Sequence, residues 1–357
     1  MLKANKFLLD IANYVPGKST NKHQQVIKLS SNENALGASK KAVEAYKKHA
    51  EKLFRYPDGN CVDLINCLAE INNINPQQIV CGAGSDEIIS LLSGAFASID
   101  DEVLYSEYGF LMYPISAQKV GAKPIKVPET NLKTNLDNFL TSISSKTKII
   151  FIANPNNPTG SYVSSQELEN FLTKVPSNIL VVLDHAYQEF VTNTNYYQGF
   201  DLVEKYQNLV ITRTFSKIYG LASLRIGWCY SSLDVAKILH KIRGPFNVNG
   251  AGQVASIASL QDTEFLQESV YHNNYWLEKF NQFFGNFNQL KQYPSVANFV
   301  LVDFFSKQQA QKINQQLLEN NIIVREMVAY GLDSCLRISI GNTQENQYLL
   351  DVLQNIV

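Results

Sequence analysis

The feature that most limits what this chain can fold into is a series of short apolar runs, each followed by a polar turn and a helix-periodic stretch. KIIFIANP and NILVVLDHA are continuous apolar runs of strand length, and SDEIISLLSGAFA, MYPISAQKVGA and SSQELENFLTKV carry apolar residues at helical spacing. QQIVCGAG, DEVLYSE and LVITRTF complete the set of strands. Short buried strands alternating with helices predict a mostly parallel sheet covered by helices on both faces. From roughly residue 250 the pattern turns to long amphipathic helices, then to the strand NFVLVDF, the helix KQQAQKINQQLLENN and the strands IIVREM and CLRISIG. The reading is an α/β protein: a polar arm over 1–30, a large domain over 31–248, and a smaller α+β C-terminal domain over 249–357, joined near GPFNVNG. A length of 357 residues agrees with more than one core.

Charge narrows the choice of partners. With 31 basic and 32 acidic side chains the formal net charge is -1, so no footprint for nucleic acid or an anionic membrane is expected. The start, MLKANKFLLDIANYVPGK, has neither a sustained apolar core nor a small-residue cleavage site, and the longest apolar runs are too short to span a bilayer. A cytoplasmic protein without a membrane partner is therefore expected. Cys61, Cys67, Cys81, Cys229 and Cys335 are odd in number and scattered with no CxxC pair, which argues against a disulfide framework and against a zinc site. No metal is expected.

In an open parallel sheet, ligand chemistry gathers where the strands end, and here each strand end carries an unusual polar group. CGAGSDE sets Gly84, Ser85 and Asp86 at a helix start, where free N–H groups and the helix dipole favour an anion; Ser85 or Asp86 would equally serve as a helix cap. KIIFIANPNNPTG ends in a constrained turn that can fix the amides of Asn156 and Asn157. VVLDHAYQEF sets Asp184 directly after an apolar run, where a carboxylate is costly unless a cation pairs with it. TRTFSKIYGLASLRIGW places Lys217 behind Thr214 and Ser216, with Arg225 further on in an apolar setting. Ser85, Thr214, Ser216 and Arg225 make a phosphate cradle, Asp184 seeks a cation, and Lys217 joins the same site. Together they describe a phosphorylated cofactor with a protonatable ring and an aldehyde, which is pyridoxal 5'-phosphate. A nucleotide would satisfy the cradle alone, and the P-loop pattern is absent.

NPNNPTG, LDHAY, RTFSK and LRIGW, in this order and spacing, resemble the fold type I pyridoxal-phosphate aminotransferases. NYVPGK, LSSNENALG, RYPDG and LRISIG bring the resemblance closest to the histidinol-phosphate aminotransferase subfamily, over nearly the whole chain. The resemblance implies the fold type I architecture and assigns Lys217 to the covalent cofactor link and to proton transfer between Cα and C4'. It assigns Asp184 to the pyridine nitrogen, Tyr187 and Asn157 to the phenolic oxygen, and Phe110 to stacking on the ring. Gly84, Ser85, Asp86, Thr214, Ser216 and Arg225 would frame the phosphate. Tyr56 would reach the cofactor of a neighbouring subunit, which implies a homodimer with shared sites. Arg337, Arg325, Tyr14, Asn34 and Asn157 would serve the substrate. The implied reaction moves an amino group from histidinol phosphate to 2-oxoglutarate, or the reverse. An aromatic or prephenate aminotransferase is the alternative, with a threonine-phosphate decarboxylase and a non-catalytic binding module further off. Two positions depart from the family pattern: Ala35 stands where proline is common and Asn342 where threonine is usual.

Overall fold

A computed structural model describes residues 2–9, 11 and 26–357. Its strands are β1 (Ile27–Lys28), β2 (Ile79–Gly82), β3 (Glu102–Ser106), β4 (Lys123–Val127), β5 (Thr147–Ala153), β6 (Leu180–Asp184), β7 (Leu209–Thr214), β8 (Gly227–Ser231), β9 (Lys291–Tyr293), β10 (Phe299–Asp303), β11 (Ile322–Ile323), β12 (Arg325–Glu326) and β13 (Cys335–Ser339).

Seven strands form one sheet in the order β2-β8-β7-β6-β5-β3-β4. The pairs from β7 through to β4 are parallel, and β8 runs antiparallel to both β2 and β7. Alternation along each strand explains the unbroken apolar runs. Ile150, Ile152, Val181, Leu183 and Ile211 point into one core, whereas Ile149, Phe151, Leu180, Val182 and Val210 point into another. Both faces are thus out of water, and each such aliphatic side chain contributes about 1.5–3 kcal/mol by burial. The helices Ser85–Phe96 and Met112–Lys119 supply buried residues to the second core, and Val62–Asn72 and Ser165–Leu172 to the first.

A second sheet, β12-β13-β10-β9, is antiparallel and carries the smaller core with Trp276, Phe280, Ile313 and Leu349. The stretch IIVREM does not form one strand. Its first half, β11, pairs in parallel with β1, and its second half, β12, pairs with β13. Helix Gly250–Leu260, beyond residue 249, packs its Ala255 and Leu260 into the core under the large sheet, while Leu29 belongs to the smaller core. Among the described residues no helix is long and apolar enough to cross a membrane, and no cluster of metal-ligating side chains occurs. All five cysteines are free thiols.

Candidate active site

The C-terminal ends of β3, β5, β6 and β7 point the same way in the parallel part of the sheet, and the residues that follow them line one cavity of about 250 Å³. Its wall includes Ser85, Asp86, Phe110, Asn157, Asp184, Tyr187, Thr214, Ser216, Lys217 and Arg225 from the larger unit, and Arg325, Tyr330 and Arg337 from the smaller.

Asp184 is the last residue of β6 and is buried. Its Oδ2 accepts a hydrogen bond from the Tyr113 hydroxyl at 2.8 Å. Its Oδ1 is out of water and has no hydrogen-bond partner among the described residues. Burial raises the carboxyl to about 6, against the hydroxyls of Tyr113 and Thr212, which favour the charged form. The neighbouring Thr212 nonetheless makes no well-formed bond, since its own hydroxyl lacks a partner too.

At the end of β7 the chain turns through Ser216 and Lys217. The Lys217 ammonium donates to the Ser31 carbonyl at 3.3 Å and lies 5.5 Å from the Tyr187 ring centre. The Tyr187 hydroxyl accepts from the Asn32 amide at 3.0 Å. Thr214 Oγ1 accepts from the Ser216 amide at 3.1 Å, and Ser216 Oγ accepts from Arg225 Nη1 at 3.0 Å. Arg225 sits in left-handed backbone (φ 54°), and its Nη2 also donates to Asp86 Oδ2 at 3.1 Å. A non-glycine residue held in that region marks a constrained position. Gly84, with φ +86°, precedes helix Ser85–Phe96, and a Cβ there would come within 2.5 Å of the Arg225 guanidinium. The missing side chain keeps the helix N-terminus open beside two hydroxyls and a guanidinium, an arrangement suited to a phosphate.

On the other side of the cavity, Arg337 Nη1 donates to the Asn157 side-chain carbonyl at 2.5 Å, and Nη2 donates to the Ser30 carbonyl at 2.8 Å. The turn carrying Asn157 is closed by Asn156 and Gly160, whose φ of +73° and close approach to Ser295 require glycine. Arg325 stands opposite Arg337 in the β12–β13 register.

Several expected residues sit elsewhere. Asn34 does not line the cavity: its amide nitrogen donates to the Ile218 carbonyl and to Ser269 Oγ, and its carbonyl accepts from the Leu36 amide. Asn32, two residues earlier, lines the wall instead. Tyr56 is 83% exposed and stacks on Phe246 at 4.7 Å, away from the cavity of its own chain. Asn342 caps helix Thr343–Ile356 through a reciprocal pair with Glu345, and neither it nor Ala35 touches the cavity. Tyr14 lies outside the described residues. Sequence reasoning missed Ser30, Ser31, Asn32, Tyr113 and Tyr330 on the wall. Of these only Tyr113 had a local signal, its place at the start of the helix that follows Phe110.

These groups fit pyridoxal 5'-phosphate: an orphaned carboxylate oxygen for a ring N–H, a lysine amine, an aromatic face and an anion cradle. Residues 24–353 match the family Aminotransferase class I and II. A histidinol-phosphate aminotransferase of Paramagnetospirillum magneticum is 43% identical over 98% of this chain and 97% of its own. One from Maricaulis maris is 41% identical over 98% and 97%. The solved histidinol-phosphate aminotransferase of Sinorhizobium meliloti, in complex with pyridoxal-5'-phosphate, superposes with a TM-score of 0.91 at 24% identity, covering 100% of this chain and 99% of that one. A Thermus thermophilus aspartate aminotransferase mutant shares the fold at 16% identity and a TM-score of 0.84, with both chains fully covered. From this match along almost its entire length, the chain belongs to the class I and II aminotransferases, in the company of relatives that carry the histidinol-phosphate aminotransferase name.

Proposed function

We propose that this protein is a pyridoxal-phosphate-dependent aminotransferase of histidine biosynthesis, passing the amino group of histidinol phosphate to 2-oxoglutarate to give imidazole acetol phosphate and glutamate. The observation that carries the reading is the meeting of Asp184, with its unpartnered Oδ1, and Lys217 in one cavity that also holds an anion cradle and two arginines. The relatives that cover nearly the whole chain bear the same activity in their names.

Bound there, pyridoxal 5'-phosphate supplies an aldehyde that captures amines and a ring that accepts the electron pair released at Cα. The protein does the rest. Asp184 would accept a hydrogen bond from the ring nitrogen and favour its protonated form, while Lys217 Nζ would anchor the cofactor and serve as the base that moves a substrate proton. Ser85, Thr214, Ser216, Arg225 and the helix N-terminus hold the phosphate, with Gly84 and Asp86 shaping the cradle. Phe110 would supply an aromatic face to the ring, and Tyr187 and Asn157 would hold its phenolic oxygen. Arg325 and Arg337 bind the distal phosphate of the substrate, with Tyr14 joining from the arm.

The enzyme acts as a homodimer in the cytoplasm, with the exposed Tyr56 completing the cofactor site of a second copy. The arm over 1–30, the large domain over 31–248 and the small domain over 249–357 divide this work. The two departures from the family pattern, Ala35 and Asn342, both lie off the cavity and so lend no support to the alternative, an aromatic or prephenate aminotransferase. Specificity constants for histidinol phosphate, phenylalanine, tyrosine and prephenate test the reading. Histidinol phosphate is expected to lead, and a higher value for any of the others overturns the substrate assignment.

A further inference from the structure

Asp184 lines the cavity with its Oδ2 held by Tyr113 and its Oδ1 without a hydrogen-bond partner among the described residues. Tyr113 lies in helix Met112–Lys119 and is fully buried. Its ring is parallel to Phe151 (centroids 4.8 Å apart, 2° between planes) and edge-on to Phe110 (5.8 Å, 88°). Its amide donates to the Phe110 carbonyl at 3.0 Å, and its carbonyl accepts from Ser116 Oγ at 2.9 Å. The side chain is therefore packed in one orientation, and its hydroxyl reaches Asp184 Oδ2 at 2.8 Å. Burial and the adjacent carboxylate push the phenol well above its ordinary range, so it remains a donor at every working pH.

A hydrogen bond donated to a carboxylate lowers its proton affinity. Burial works the other way on Asp184, as does the nearby Asp86 carboxylate. A carboxyl raised to about 6 by these causes would compete with a pyridine nitrogen for the one proton between them. The Tyr113 bond tilts that contest toward the ring.

We propose that Tyr113 is a positioning residue: by donating to Oδ2 it holds the Asp184 carboxylate in place with Oδ1 left to the cofactor, and so keeps the shared proton on the cofactor's ring nitrogen. The proposal rests on the pyridoxal-phosphate reading above. Through its edge contact with Phe110, the same side chain also sets the stacking face, so ring plane and ring proton depend on one tyrosine.

The test has two arms. In the cofactor-free enzyme, the titration of Asp184 is followed by NMR of 13Cγ-labelled aspartate. Tyr113→Phe is expected to raise the midpoint by about one to two pH units, the effect of losing a hydrogen bond to a charged group. Fluorotyrosine at position 113, which keeps the ring shape and is a stronger donor, is expected to lower it. In the enzyme reconstituted with ring-15N pyridoxal phosphate, the nitrogen signal of Tyr113→Phe is expected to move from the protonated toward the unprotonated position. A midpoint that stays in place in both variants, or moves the same way in both, overturns the proposal, as does a ring-nitrogen signal that does not follow the midpoint. Failure of wild-type protein to take up the cofactor overturns the parent reading as well, and that outcome is visible before any variant is made.

Discussion

Arg325 and Arg337 face each other across the β12–β13 pair, and both line the cavity that holds Lys217. Directly opposed residues in an antiparallel pair have Cβ atoms about 4.5–5.5 Å apart, and like charges there repel. A dianion bound beside them would offset that repulsion with charge-assisted contacts. Arg325→Ala is expected to lower kcat/KM for histidinol phosphate by about 1.5–3 kcal/mol, roughly ten- to a hundredfold, and to affect phenylalanine and tyrosine less. Equal losses for all donors would remove Arg325 from the phosphate site.

Lys217 is expected to carry the cofactor. Borohydride reduction followed by peptide mapping should place the label on Lys217, and Lys217→Ala should bind pyridoxal phosphate without a reducible bond and without turnover. A label on another lysine would refute the assignment.

Asp184→Ala should weaken cofactor retention and reduce turnover by a factor on the order of a hundred or more, because a buried charge loses its partner at about 3–5 kcal/mol. Equilibrium dialysis and single-turnover rates measure the two effects separately. Normal values for both would leave Asp184 a purely structural role.

Tyr56 stands in the open beside Phe246, and we expect it to act in a second copy of the chain. Mixing inactive Lys217→Ala with inactive Tyr56→Ala should restore part of the activity through mixed dimers. No recovery despite demonstrated subunit exchange would sink the shared site.

Glu129 gives a pH dependence with a definite sign. Its Oε1 accepts from Ser106 Oγ at 2.7 Å and from Asn156 Nδ2 at 3.2 Å, yet burial still raises it from 4.5 to about 7. The folded protein thus holds this proton more tightly than the unfolded chain does. Its stabilising share is present below the ordinary carboxyl range and is lost as pH rises through about 7, on the order of 3 kcal/mol in all. Glu129→Gln should flatten this loss, so that the denaturation midpoints of the two proteins converge at about pH 4 and separate by about pH 8. Parallel profiles across that range would refute the claim.

Residues tied to strand boundaries were legible in the sequence. Asp184, Lys217, Ser85 and Asn157 each follow an apolar run, and a run of that kind has little freedom in where it ends. The parallel sheet was legible for the same reason, through unbroken runs such as IIFIA, which need a core on both faces. What escaped depends on convergence. Nothing local shows that Asn32 meets Tyr187, 155 positions later, or that Asn34 turns instead to Ile218 and Ser269. The IIVREM stretch reads as one strand because its pattern is continuous, and only the presence of two different partners, β1 and β13, divides it. At Asn342 the sequence shows only a departure from the family pattern, and it is the helix it caps with Glu345 that gives the residue its task.

The segment just after β1 is fastened to the smaller sheet. The Ser339 amide donates to the Leu29 carbonyl, Ser339 Oγ to Asn32 Oδ1, Arg337 to Ser30, and Asn298 to the carbonyls of Asn32 and Glu33. Among the described residues, two bonds from its wall residues reach the larger unit's chemistry: Asn32 to Tyr187, and Ser31 from Lys217. Mechanically, residues 27–33 ride with the arginines although they precede the whole large sheet in sequence. Any rotation of the smaller unit about the larger would act as a single lever, moving the anion grip and tugging on Tyr187 and Lys217 in the same stroke.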